Sequence, residues 1–295
     1  MFNPLKAAVP VQNGWLAAFL TICIWSGFIL VTRFGAVGTL LSWDIALLRF
    51  GVGASIAVFF LPRVQLPPIK VIALLSLFGG IGYAVTVYAA FRLAPATHAS
   101  VLLPGTLPFL TALIAWLWLG RMPSRRRRTA LLIVFSGIVL TAADTFSAGP
   151  QLTRIQIVGD MLFLCGSSLW AIFTLLLGRY PISPLTATVV TTLGSAVVYL
   201  PLWLLFLPTT IGRASMSEIA LQAIYQGVLV VFVSMLLYTF AVSRLGSEKV
   251  ALLMASVPII SALAAVPLLG ESLPFLTLAG LIAVTVGAVL GVRES

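Results

Sequence analysis

The chain has 295 residues, 61% hydrophobic and only 8% charged, with a formal net charge of +10. A soluble domain carries about 25% charged residues to cover its surface, so a water-facing globule is excluded and lipid must be the solvent for most of this surface. The basic residues are scattered over short segments between apolar runs, which argues against nucleic acid as a partner and for contact with anionic lipid headgroups.

A helix needs about 20 mainly apolar residues to cross a hydrocarbon core of about 30 Å, and Pro, Gly and Arg punctuation divides the chain into ten such runs. The first, Gly14–Phe34, is too long for a signal-peptide core and has no A-x-A cleavage site before charged sequence, so a retained span is expected. It carries Cys23 and Trp25. The second, Trp43–Leu61, contains Arg49; Asp44 lies five residues earlier, off the ideal helical pairing distance, and a structural role is expected for the arginine. In the third, Val71–Phe91, the residues Gly79, Tyr83, Thr86 and Ala90 share one helical face. The fourth, Thr97–Leu119, opens on His98, the only histidine, and holds Pro104 and Pro108, which predict a kink. Arg125–Arg128 precede the fifth, Thr129–Phe146. The sixth, Val158–Leu177, carries Cys165 and a face of Ser167, Trp170 and Thr174. The remaining four are Leu185–Leu207, Ile219–Val242 with Ser234 and Tyr238, Val250–Leu269 with Pro258, and Phe275–Val292.

Orientation follows from the basic residues between spans. If the N-terminus is cytoplasmic, twelve fall on that side: Lys6, Arg63, Lys70, Arg121, Arg125–Arg128, Arg179, Arg244, Lys249 and Arg293. Four, namely Arg33, Arg92, Arg154 and Arg213, fall on the other. The asymmetry predicts both termini inside, in the cell (inner) membrane.

The chain also repeats itself. FRLAPATHASVLLPGTLPFLTALIAWLWLGRMP in the first half parallels SRLGSEKVALLMASVPIISALAAVPLLGESLP in the second. Arg92-Leu93 matches Arg244-Leu245, Pro108 matches Pro258, and Gly120 matches Gly270. Earlier in each half IWSGFILVTRFG parallels LWAIFTLLLGRY, which pairs Trp25 with Trp170. The offset is five spans. An odd unit must re-enter the membrane reversed, so the expected fold is an all-α membrane protein of ten transmembrane helices in two inverted five-helix repeats, residues 14–146 and 155–292, the architecture of secondary transporters with a site near the midplane.

The WSGF stretch at Trp25–Phe28, ALLRFGVGA at Ala46–Ala54, the proline-centred fourth and ninth spans and Gly270-Glu271 resemble the drug/metabolite transporter superfamily, in its ten-helix EamA-domain form. Within that group the chain is most similar to YddG-type exporters of aromatic amino acids. The resemblance covers nearly the whole chain and implies alternating access. One departure is that Arg121 stands in the first half where Glu271 stands in the second. Another is that the first span holds no acid, whereas small drug-exporting relatives bind cations through a glutamate there. The sixth span has only Asp160, near its outer end. A lipophilic cation needs a counter-charge at low dielectric, so neutral or zwitterionic cargo is expected, amino acids including aromatic ones.

Candidate substrate-binding residues are Trp25, Gly79, Tyr83, Thr86, Ser167, Trp170, Ser234 and Tyr238, inside spans on faces that recur in part in the other half: Trp25 aligns with Trp170, Thr86 with Tyr238 and Gly82 with Ser234. Small residues also permit close helix packing, and Ser and Thr also bond backbone carbonyls. His98 is either a substrate or proton contact at the outward mouth or an interfacial histidine bonded to a backbone carbonyl. The two cysteines read as buried reduced thiols; no CxxC or other metal-ligand spacing occurs and no metal is expected. A P-loop, an aspartate pair and a serine–histidine motif are absent, so neither an enzyme nor a cofactor is expected. The alternatives are a broader drug or metabolite exporter and an organophosphate or nucleotide-sugar transporter, the latter needing basic residues in the cavity where only Arg49 lies within a span. The expected partners are a small-molecule substrate and membrane lipid, with the chain a monomer.

Overall fold

The structure is a computed structural model that describes residues 11–292 apart from 121, 123, 148, 149, 181, 246–249, 251 and 252. Lys6, Arg121, Lys249 and Arg293 of the charge count lie outside the described residues. Among the described residues all regular structure is helical, in ten rods: α1 Val11–Val37, α2 Ser42–Phe60, α3 Ile69–Leu93, α4 Ala96–Trp118, α5 Arg125–Ser147, α6 Pro150–Arg179, α7 Pro184–Phe206, α8 Met216–Val242, α9 Val257–Leu269 and α10 Phe275–Val292. Seven are long and apolar enough by themselves to cross a membrane. The other three are α5, which opens on four arginines, α9, which follows a turn at Ala255 and Ser256, and α10.

The repeat foreseen from proline and glycine positions has a structural counterpart. The α4 rod is broken at Thr106 (φ −85°, ψ −14°) just before Pro108, and α9 starts after Ser256 (φ −79°, ψ −18°), just before Pro258. Proline has no N–H to give the preceding turn and its ring crowds the carbonyl four residues back, so both helices restart at the same register. Both restarted helices end on a left-handed glycine, Gly120 at φ 65° and Gly270 at φ 66°, a conformation that costs other L-residues about 1–2 kcal/mol. The third helix of each unit also loosens into a π-helical stretch, Ser76–Ile81 in α3 and Ala223–Val233 in α8. Gly80 leaves helical geometry altogether, and the freed N–H of Ile81 is met by Ser195 Oγ of α7 at 3.1 Å.

Helix pairing follows the same symmetry. Shifting every number by five turns the α1–α8 contact into α6–α3, and both are among the main interfaces. The pairs α2–α7, α4–α9 and α5–α10 map onto themselves. The α5–α10 interface is close because a Cβ on Gly137 would lie 2.7 Å from the Gly280 carbonyl oxygen, the small-residue packing that dispersion favours between helices in lipid. Three buried hydroxyls are satisfied within their own helices: Thr21 donates to Ala17 O, Ser100 to Ala96 O and Thr106 to Leu102 O. Cys23 and Cys165 are exposed, contrary to the buried thiols expected. In a span apolar on every side, an inward-facing residue cannot be told from a lipid-facing one by periodicity.

Candidate functional site

A cavity of about 860 Å³, counting the space at its mouth, lies near the middle of the bundle between the two units. The first unit contributes Trp25 and Phe28 of α1, Arg49 of α2, Tyr83 of α3 and Pro104 of α4. The second contributes Ser167 and Trp170 of α6, Ser234 and Met235 of α8 and Val257 of α9. The helix breaks in α4 and before α9 therefore sit at the cavity wall. None of its lining residues is acidic, and Arg49 is the one charged residue on the wall.

The aromatic residues are placed by the repeat. Trp25 of α1 stacks on Tyr238 of α8 with centroids 5.3 Å apart, and Trp170 of α6 packs on Tyr83 of α3 at 4.8 Å. Each unit's first-helix tryptophan thus leans on a tyrosine of the other unit's third helix. Such pairs hold the rings rigid, so their faces and edges are available to a flat or bulky apolar group without further ordering.

Five of the candidates from the sequence are brought together on this wall: Trp25, Tyr83, Ser167, Trp170 and Ser234. The others are elsewhere. Tyr238 stands behind Trp25. Gly79 is packed against the Phe173 ring, where a Cβ would come within 2.3 Å of a ring carbon. Thr86 is half-buried on α3 and off the wall, and Thr174 faces outward, its hydroxyl bonded to Trp170 O. His98 is buried (3% exposed) between two carboxylates, with Nδ1 3.0 Å from Asp160 and Nε2 3.5 Å from Asp144. The Thr277 hydroxyl of α10 also donates to Asp144, at 3.0 Å. His98 therefore ties α4 to α5 and α6, in place of the backbone-carbonyl partner considered from sequence.

Arg49, for which a structural role is expected from sequence, is a cavity-lining residue. It is 7% exposed and faces the cavity. Asp44 is engaged elsewhere, accepting from Leu41 N, Trp203 Nε1, the Thr209 hydroxyl and both N and Oγ1 of Thr210. The signal that could have found Arg49 was its position, a guanidinium inside a span with no acid one turn away.

Between the cavity and the end of the bundle opposite Arg125–Arg128, polar ties join the units. Arg33 Nε donates to Glu271 Oε1 at 2.7 Å, Arg33 also donates to Phe91 O, and Thr97 N donates to Glu271 Oε2 at 3.2 Å. Glu218 accepts from Thr39 N at 3.0 Å and Leu40 N at 3.3 Å, and Gln222 Nε2 donates to Val31 O at 2.7 Å. Toward the other end, α1 meets α8 through Ala17, Ala18, Ala241 and Leu245, an apolar contact.

Comparison with known proteins adds the family and the fold. The EamA-like transporter family matches the chain twice, over residues 12–143 and 157–293. A solved protein crystal structure superposes with a TM-score of 0.62 at 18% identity, covering 96% of this chain and 98% of that one, which is a likeness of fold. No curated protein matches.

Proposed function

We propose, from the premise that this chain belongs to the EamA-like transporter family, that it exports small neutral or zwitterionic metabolites, amino acids including aromatic ones, by alternating access. The family is one of membrane transporters of small molecules. The observation that carries the finer reading is the acid-free, ring-lined cavity near mid-bundle, walled by both units. Aromatic rings on the wall suit an aromatic or bulky apolar side chain, and a wall without carboxylates disfavours a cation.

Two units of opposite sense can exchange roles about such a cavity, which makes inward- and outward-open states similar in energy. The polar ties through Arg33, Glu218 and Gln222 support a closed gate on the Arg33 side, and the basic run Arg125–Arg128 supports a cytoplasmic placement of the other side. Residues 14–146 and 155–292 are the proposed moving units, in a monomer in the inner membrane with both termini cytoplasmic.

Uptake of labelled phenylalanine into proteoliposomes containing the purified protein tests this reading. Protein-dependent, saturable flux is expected. Absence of flux for every amino acid tried would remove the cargo assignment while leaving the family intact.

A further inference from the structure

We infer that Arg49 is a carboxylate anchor, so that the cargo must carry a carboxylate beside its apolar body while its amino group is dispensable. The inference rests on the transport reading above and deepens it by naming the part of the cargo that is recognised.

A guanidinium has five N–H donors and is always ionised. Placed within an apolar bundle it is stable only with a partner or a path to water. Among the described residues Arg49 has no carboxylate within 4.0 Å, and its one side-chain hydrogen bond is a long one, 3.5 Å from Nη1 to the Tyr88 hydroxyl. It is more than nine-tenths buried, and it lines the cavity.

Its orientation is supported from behind. Tyr88 donates to Gln226 Oε1 at 3.1 Å, and Gln226 Nε2 donates to Thr32 Oγ1 at 2.9 Å. This chain runs from α2 through α3 and α8 to α1, and it holds the guanidinium at the wall while leaving most of its donors unused. A planar fork of N–H groups matches a carboxylate in bidentate fashion. With the carboxylate there, an aromatic body can lie against Trp25, Phe28, Tyr83 and Trp170.

The same wall offers an ammonium group little. It has no acid, so an ammonium group finds no counter-charge there. A cation without a carboxylate would face Arg49 with no compensation.

The test uses the purified full chain in proteoliposomes and three probes of one ring size. These are phenylalanine, 3-phenylpropionate, which lacks the amine, and 2-phenylethylamine, which lacks the carboxylate. Labelled phenylalanine flux should be inhibited by 3-phenylpropionate as well as by unlabelled phenylalanine, and about 100-fold less well by phenylethylamine, the scale of a lost buried charge pair. Arg49→Gln should lose about 100-fold in kcat/KM, and Arg49→Lys, which keeps the charge but not the fork, about tenfold. Phenylethylamine competing as well as phenylpropionate overturns the anchor, and this wild-type comparison stands even if the variants fail to fold. Phenylalanine flux that survives Arg49→Gln unchanged also overturns it and leaves the transport reading in place. If no amino acid moves but 3-phenylpropionate raises the thermal midpoint of the wild type and not of Arg49→Gln, the anchor stands and the amino-acid reading falls.

Discussion

Arg33 and Arg49 lie sixteen residues apart on adjacent helices, and the protein treats them in opposite ways. Arg33, at the end of α1, meets Glu271 of the other unit at 2.7 Å and also donates to the Phe91 carbonyl. Arg49, within α2, meets a tyrosine hydroxyl at 3.5 Å and faces a cavity. One charge is neutralised by the protein itself across the seam between the units. The other is left for whatever enters. Pairing, more than position in the span, separates a residue that holds the fold from one that holds a ligand.

The predictions sharpen that contrast. The largest effect is expected at Arg49, where the loss falls on cargo recognition. At the other arginine the loss should fall on stability. Glu271→Ala leaves Arg33 without its carboxylate and Thr97 N without its acceptor, and should cost about 2 kcal/mol. Thermal unfolding of the purified protein in detergent reads this, and the exchanged pair Arg33→Glu with Glu271→Arg should recover part of it. A stability loss at Arg49→Gln as large as at Glu271→Ala, with recognition intact, would erase the distinction. A smaller effect is expected inside the cavity. Trp170→Ala removes one of the two tryptophan–tyrosine pairs and should raise KM for phenylalanine about tenfold. Thr174→Ala, one turn further on the outward face of α6, should leave KM unchanged.

The positions that sequence made legible are those where backbone chemistry is local. Pro108 and Pro258 open the restarted helices just after the breaks, and Gly120 and Gly270 cap theirs with a positive φ. The match between these residues therefore exposed the repeat before any contact was known, and the Trp25–Trp170 equivalence followed. The two-unit, ten-helix architecture is borne out by the double family match. What stayed hidden depends on which side of a helix turns inward. In a soluble protein the polar face gives that away, but a span in lipid is apolar all round. Thus Cys23 and Cys165 were expected inside and are exposed, and Thr174 was grouped with Trp170 but faces outward.

Contacts between distant helices were hidden for a different reason. His98 finds Asp160 and Asp144 only when α4, α5 and α6 assemble, across 62 and 46 positions of sequence. Asp44 stands five residues from Arg49 in sequence, yet the acid is fully engaged by Trp203, Thr209 and Thr210. That engagement is what frees the arginine.

In the proposed transport cycle the two units move against each other about the cavity and part at the Arg33–Glu271 seam. The direct measurement places single cysteines at positions 33 and 271, with Cys23 and Cys165 replaced by alanine, and joins them with a short thiol-reactive cross-linker cleavable by reductant. Phenylalanine flux through the cross-linked protein should vanish and return on reduction. Flux that continues with the seam locked would contradict the account.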